Sequence, residues 1–387
     1  MSDAPPALID PVELTRDLIR RPSVTPVDAG TMDMIESLLT GLGFHCRRMP
    51  FEGVENLYAR RGSASPNLCF AGHTDVVPTG TAAAWTAAPF DAEVHDGILY
   101  GRGAVDMKGG IAAWIAAVSR LLAQGEPAGS LSFLITGDEE GPALHGTKRV
   151  VQTLMAEGET IDACVVGEPS SSMHLGDMIK IGRRGSLNSW ITVHGKQGHV
   201  AYPERAANPA PVLARLLTRL NDHVLDEGYP EFSPSNLEIT TISIDNDASN
   251  VIPAEAKARL NIRFNPTHTG DELIAWLNIQ AGLAQVASGQ RIELEHLCSG
   301  NAFLTEPGPF INAVQDAVEA VCGHRPEAST VGGTSDARFI RALCPVLELG
   351  LVGQTMHQID ERVPVAEIEA LTEVYQRVIT TVFERLG

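Results

Sequence analysis

Positive charge is scarce in this chain. It has 29 lysines and arginines against 48 aspartates and glutamates, a net charge of −19. A field of that sign repels nucleic acid and anionic membrane, so neither is expected as a partner. Long apolar runs are also missing. The longest, from Ile111 to Val118, is too short to cross a bilayer. Met1-Ser2-Asp3-Ala4-Pro5-Pro6 has neither a basic start nor an apolar stretch, so no secretory signal is expected and a cytoplasmic protein is. Cysteine is sparse and unpatterned. Cys46, Cys69, Cys164, Cys298, Cys322 and Cys344 form no CxxC, and three lie inside apolar runs. Buried free thiols are expected rather than bridges. No GxSxG occurs, which disfavours a serine hydrolase. No repeat or low-complexity segment stands out.

The 387 residues are 44% hydrophobic and 20% charged, which suits a globular protein of two domains. Pro11 to Arg21 and Thr31 to Leu42 read as amphipathic helices. Asn67 to Phe70, Leu131 to Ile135 and Ala163 to Val166 are short apolar runs followed by glycine, the pattern of fully buried strands. Gly109 to Gln124 reads as a helix between them. This order implies an α/β domain with a mostly parallel sheet flanked by helices. The pattern then changes. Leu187 to His194, Leu237 to Ile244, Ala256 to Phe264 and Arg291 to His296 read as strands, with helices over Ala210 to His223 and Asp271 to Ala287. That is the βαββαβ order of a ferredoxin-like unit. After it come a helix at Ile311 to Val321, a strand at Val346 to Leu349 and a last helix from Val365 to Leu386. The expected division is 1–184 and 300–387 for a split catalytic domain, with 185–299 as an inserted lid and dimerisation domain.

Several strand-like runs end in a metal-ligand or acid side chain. His73 and Asp75 form His-x-Asp, and residues two apart on an extended segment share a side. Asp75 is therefore expected to accept the second ring proton of His73 and fix its tautomer. Asp106 lies among glycines in Gly101-Arg102-Gly103-Ala104-Val105-Asp106-Met107-Lys108-Gly109-Gly110. A helix N-cap is its plain alternative role. Neither GxGxxG nor GxxxxGK[ST] is completed there, so a phosphate loop is weakly supported. Asp138-Glu139-Glu140 sets three acids at one strand end, where a nearby cation would remove their repulsion. A solvated acidic turn is the alternative. Glu168 sits between Gly167 and Pro169, and His357 follows an apolar segment; each alone is as well or better explained as an ordinary residue. Together they offer imidazole and carboxylate donors and no thiolate, which suits two divalent metals sharing one carboxylate.

Read in order, these segments resemble the M20 family of metallopeptidases and amidohydrolases, from about Leu8 to the final helix. Gly72-His73-Thr74-Asp75, the Gly101–Gly109 stretch and Asp138-Glu139-Glu140 carry the general likeness. Gly182-Arg183-Arg184-Gly185-Ser186-Leu187, Gly198-His199-Val200-Ala201-Tyr202-Pro203 and Gly332-Gly333-Thr334-Ser335-Asp336 look like the branch that cleaves succinyl amides rather than its deacetylase relatives. The resemblance implies that His73 and Glu168 hold one zinc and that Glu140 and His357 hold the other. Asp106 would bridge both, with a cis peptide to Met107. Cobalt satisfies the same nitrogen and oxygen ligands. Two dications against the carboxylates of Asp106, Glu140 and Glu168 leave one positive charge, which a bridging hydroxide cancels.

The likeness further implies catalytic roles for Asp75, for Glu139 as general base, and for His199 reaching the active site of the other subunit of a homodimer. Arg183, Arg184, Ser186, Tyr202, Asn250, Arg263 and Thr334 are the implied substrate contacts. Arginine suits carboxylate groups through its planar fork. The implied substrate is a small succinylated diamino acid. Sibling amidohydrolases (a deacetylase, an aminoacylase or a dimeric carboxypeptidase) are the enzymatic alternatives. A non-catalytic amide-binding protein on the same scaffold is the other. Two positions depart from the likeness. Gly353 stands where similar sequences carry asparagine, so a polar contact is lost or supplied by Gln354. Asp360 stands where asparagine is common.

Overall fold

The computed structural model describes residues 8–387. Met1 to Pro6, where no secretory signal is read, lies outside the described residues. These divide into two compact units. The first holds the described residues up to Ile181, with Thr305–Ser329 and Ser335–Gly387; the second holds Gly182–Leu304 and Thr330–Thr334.

The first unit is built on an eight-stranded sheet. Across it run His45–Arg48, Asn56–Arg61, Ser130–Thr136, Asn67–His73, Ala163–Val166, Val346–Glu348, Met178–Lys180 and Glu327–Ser329. The centre is parallel, from Ser130–Thr136 to Val346–Glu348. The His45–Arg48 and Asn56–Arg61 strands join it antiparallel at one edge. Asn67–His73 and Ser130–Thr136 are buried at every position. Covered on both faces, a strand has no need of alternation, which is why these read as continuous apolar runs. The Gly109–Gln124 helix carries Trp114 onto Phe70, with ring centroids 4.8 Å apart and stacked. Tyr375, from the Val365–Leu386 helix, meets Trp114 edge-on at 4.8 Å and donates its hydroxyl to the Leu349 carbonyl at 2.6 Å. Each such ring pair adds about 0.5–1.5 kcal/mol beyond its buried area.

Because Asn67–His73, Ser130–Thr136 and Ala163–Val166 are mutually parallel, their carboxyl ends lie along one rim. That rim is where open α/β sheets bind ligands. His73, the Asp138-Glu139-Glu140 turn and Glu168 all fall on it.

In the second unit the strand order is Asn236–Ser243, Glu255–Phe264, Gly185–His194, Ile292–Gly300, antiparallel throughout. Helices Ala210–Asn221 and Gly270–Ser288 complete the βαββαβ order. Leu187, Ile191, Val193, Leu216, Leu260 and Ile262 belong to its core. The Gly270–Ser288 helix begins at a capping box between Thr269 and Glu272, worth about 1 kcal/mol. Among the described residues no helix is long and apolar enough to cross a membrane. All six cysteines are free, with Cys69, Cys164 and Cys344 buried.

Candidate metal centre

The first unit brings seven predicted residues to its rim. His73 ends a fully buried strand and is 1% exposed. Its Nδ1 lies 2.9 Å from the Asp75 backbone carbonyl and 3.6 Å from the Asp75 carboxylate. The backbone oxygen, not the expected carboxylate, therefore takes the Nδ1 proton. This leaves the Nε2 lone pair pointing outward. The Asp75 carboxylate does other work. It accepts the backbone N–H groups of Glu139 and Glu140, at 3.2 and 3.0 Å, and so holds their turn against the His73 strand. The Thr74 N–H bonds the Thr136 carbonyl, so Asp75 lies beside the end of the Ser130–Thr136 strand, within reach of the turn that follows it.

Asp106 sits in an irregular turn, Ala104–Lys108, whose non-helical angles include φ −120°, ψ 96° at Asp106 itself. The Asp106–Met107 peptide is cis. Asp106 is not a helix cap; Lys108 occupies that position, and the Lys108 ammonium instead bonds the Leu18 and Arg21 carbonyls. Gly103 has φ 87°, a left-handed angle that glycine tolerates best. The following Gly110 serves close approach, since a Cβ there would lie 2.7 Å from the Gly167 carbonyl beside Glu168.

The two Asp106 oxygens face two different histidines. Oδ1 is 3.2 Å from His73 Nε2, and Oδ2 is 3.2 Å from His357 Nε2. Beyond them, Glu168 lies 3.7 Å from His73 Nε2 and Glu140 lies 2.8 Å from His357 Nε2. Donor atoms of His73, Asp106 and Glu140 lie within 4.8 Å of one another, as do those of His73, Glu139 and Glu168. Both groups contain His73, and the Asp106 carboxylate lies between the two imidazoles. Among the described residues the Glu139 carboxylate, like that of Glu168, accepts no hydrogen bond.

Burial and crowding shape the charges. Burial pushes Glu168 and Glu139 well above the usual carboxylate range, helped by neighbouring carboxylates. Asp106 goes the other way: burial would raise it, but the His357 and His73 contacts hold it down. Those same contacts push His357 up to about 10, with Asp106 first and Glu140 next. Burial alone would lower His73, yet the Asp106 bond and the Glu168 charge carry it well above its usual value. A positive charge is favoured between the His73 Nε2 and these carboxylates, carried by a proton or by a metal ion. A divalent ion supplies one, and the donors, all nitrogen and oxygen, fit it.

Three residues that matter here had no legible role in the sequence. Asp138 is 1% exposed and accepts the N–H groups of Ala143, Leu144 and His145, at 3.2, 2.9 and 2.9 Å. It ties down the loop after the two glutamates. Glu361 and Arg102 form a buried ion pair behind Asp106. Asp138 is visible as an acid in a run of acids and Arg102 as part of the glycine-rich stretch, neither with a role; nothing local marks Glu361.

The remaining predicted residues belong to the second unit. His199 is exposed, and its Nδ1 accepts the Ala201 N–H at 3.1 Å. Tyr202 is 50% exposed, with the Arg205 guanidinium over its ring. Asn250 is exposed, and its backbone carbonyl accepts the Val200 N–H. Arg183 is buried and donates to the Val331 carbonyl at 3.1 Å. Thr334 is half-buried in the Thr330–Thr334 segment. Arg263 lies opposite buried Ser186 across the sheet. Burial and the nearby Arg184 charge lower its guanidinium. Arg184 donates to the Asn236 side chain at 2.8 Å and the Pro234 carbonyl at 3.4 Å, and Arg263 makes no ion pair among the described residues. In the first unit, the Gln354 amide is committed to the Ser172 carbonyl at 3.1 Å and does not stand in for an asparagine at Gly353. Asp360 adopts φ 59° and anchors Thr86 through its backbone N–H and its hydroxyl.

Residues 69–381 match peptidase family M20/M25/M40. Among curated proteins, the chain is 63% identical over 377 residues to the succinyl-diaminopimelate desuccinylase of Phenylobacterium zucineum, covering 97% of this chain and 99% of that one. It is 57% identical over 383 residues to the enzyme of the same name from Maricaulis maris, covering 99% and 98%. Among solved structures, an M20 family metallo-carboxypeptidase from Sulfolobus solfataricus superimposes with a TM-score of 0.81 at 16% identity, over 97% of this chain and 99% of that one. At that identity the likeness is one of fold.

Proposed function

Because the chain belongs to peptidase family M20/M25/M40, we propose that it is a two-metal amide hydrolase that removes succinate from N-succinyl-LL-diaminopimelate, the reaction for which its curated relatives are named. The observation that carries this reading is Asp106, whose two oxygens each face a separate imidazole at 3.2 Å. His73 and Glu168 would hold one ion, His357 and Glu140 the other, and Asp106 both. Zinc is the proposed metal; cobalt suits the same donors. When bound, the ions polarise the amide carbonyl and lower the pKa of a shared water.

The protein's own groups do the rest. Glu139, which is not one of the residues assigned to either ion, takes a proton from the attacking water and gives it to the departing amine nitrogen. Asp75 keeps Glu139 and Glu140 in register through their backbone N–H groups. The water oxygen bonds to the amide carbon, the carbon–nitrogen bond breaks, and succinate and LL-diaminopimelate leave. His199 of the partner subunit stabilises the developing oxyanion in a homodimer formed through the second unit. Arg183, Arg184 and Arg263 take substrate carboxylates, with Ser186, Tyr202, Asn250 and Thr334 as neutral contacts. A cytoplasmic location goes with this chemistry, which serves amino-acid and cell-wall precursor synthesis.

A substrate panel tests the reading. Purified protein should release succinate from N-succinyl-LL-diaminopimelate, lose that activity on chelation, and regain it with zinc or cobalt. Preference for N-acetylornithine, or activity indifferent to chelation, would overturn it.

A further inference from the structure

Both half-sites depend on donors carried by irregular backbone. Asp106 lies in a turn with non-helical angles, and His357 has φ 62°, a left-handed angle uncommon outside glycine. Neither segment is fixed by a helix or sheet ladder at the donor itself. Something else must set the distance between two loops so far apart in sequence.

One buried ion pair touches the backbone of both. Glu361 is fully buried and Arg102 is 2% exposed, and they meet at 2.6 Å. On the glutamate side, Oε1 accepts the N–H groups of Val105 and Asp106, at 2.9 and 3.1 Å. Oε2 accepts the Gly103 N–H at 3.1 Å and the Arg102 guanidinium. On the arginine side, Nη2 donates to the His357 carbonyl at 3.4 Å and to the Pro78 carbonyl at 3.3 Å, while Nη1 reaches the Gln358 carbonyl at 3.3 Å. The guanidinium lies over the Trp85 ring, 5.3 Å from its centroid. The pair thus runs from the Asp106 amide, through one carboxylate and one guanidinium, to the His357 carbonyl.

We propose that Glu361 and Arg102 are positioning residues that set the spacing between Asp106 and His357, and so the affinity of the half-site formed by Asp106, His357 and Glu140. This inference rests on the two-metal reading above. A glutamine at position 361 keeps the size of the side chain but offers one carbonyl oxygen where two oxygens now accept. Its amide hydrogens would face either the Val105 and Asp106 N–H groups or the Gly103 N–H and Arg102. In both orientations donors meet donors, and the turn must shift. Lysine at position 102 keeps the charge but cannot bridge Glu361 and the His357 carbonyl with a planar fork.

The test is metal binding measured by calorimetry and by competition with a chromogenic chelator, on metal-free wild type, Glu361→Gln and Arg102→Lys. Wild type should bind two zinc ions per chain. In both variants the ion held by Asp106, His357 and Glu140 should bind about 10–100-fold more weakly, the range for partners that orient metal ligands, while the other, which shares only Asp106 with it, weakens less. Melting of the metal-free proteins is measured alongside. Two ions bound with wild-type affinity in either folded variant overturns the inference, even if that variant melts lower, because the pair then serves stability alone. Equal weakening of both sites also overturns it. Should Glu361→Gln fail to fold, Arg102→Lys carries the same expectation. A wild type that binds fewer than two ions instead removes the two-metal reading on which the inference stands.

Discussion

Replacing Asp138 offers a sharp test of how the Glu139-Glu140 turn is held. Its Oδ2 accepts the Leu144 and His145 N–H groups, both at 2.9 Å, and its Oδ1 accepts the Ala143 N–H at 3.2 Å. The side chain is 1% exposed, so water does not readily replace it. Taking about 1.5 kcal/mol per bond to a charged acceptor, Asp138→Ala costs ~4–5 kcal/mol. At about 2–4 °C per kcal/mol for a domain of this size class, the melting temperature falls by ~8–20 °C. Asp138→Asn can keep its carbonyl oxygen at the Oδ2 position and lose only the Ala143 bond, a cost of about 1.5 kcal/mol, or ~3–6 °C. Turnover in the alanine variant should fall by about 10²-fold at a temperature where it remains folded, as a misplaced catalytic group does. Melting by circular dichroism and succinate release measure both. An alanine variant that melts like the asparagine one, or that turns over normally, would refute the reasoning that these three bonds hold the catalytic turn.

Glu139→Gln should keep both metal ions and lose about 10²–10⁴-fold in turnover, the usual worth of a general base; metal content and rate on the same sample decide it. Chelation should lower the melting temperature as well as activity, because ligand at about 100 times its dissociation constant stabilises by ~2.7 kcal/mol per site; a melt unchanged by chelator would contradict a bound-metal core. In the second unit, burial pushes Asp226 up, but bonds from Ser235, Asn265 and the Gly228 N–H hold it below its usual 3.8. Its contribution is therefore present above pH ~4 and is lost as pH falls through the folded value. Denaturant melts of wild type and Asp226→Asn should differ near neutrality and converge in acid; a constant difference would count against it.

The central strands were legible because both their faces are buried, so Asn67–His73 and Ser130–Thr136 show unbroken apolar runs. The His45–Arg48 and Asn56–Arg61 strands were not, because they mix arginine with apolar residues at the sheet edge and show no clear period. The βαββαβ order of the second unit was legible from half-buried alternation, clearest in Glu255–Phe264. At the site, each donor ends or follows a buried strand or a glycine-rich turn, a pattern local to the chain. What escaped was everything that depends on distant backbone. The His-x-Asp spacing alone points the Asp75 carboxylate at the His73 ring; the structure gives the ring proton to the Asp75 carbonyl and the Glu139 and Glu140 amides to its carboxylate. Glu361 sits beside Asp360 with nothing to mark it, since its partners lie more than 250 residues away. The glycines around Asp106 suggested unusual angles, but at Gly110 the constraint is the proximity of the Gly167 carbonyl.

The most direct measurement is anomalous diffraction at the zinc edge from crystals grown with zinc. Two peaks are predicted, one on each side of the Asp106 carboxylate, with His73 and Glu168 beside the first and His357 and Glu140 beside the second. A single peak, or peaks that do not share Asp106, would contradict the account.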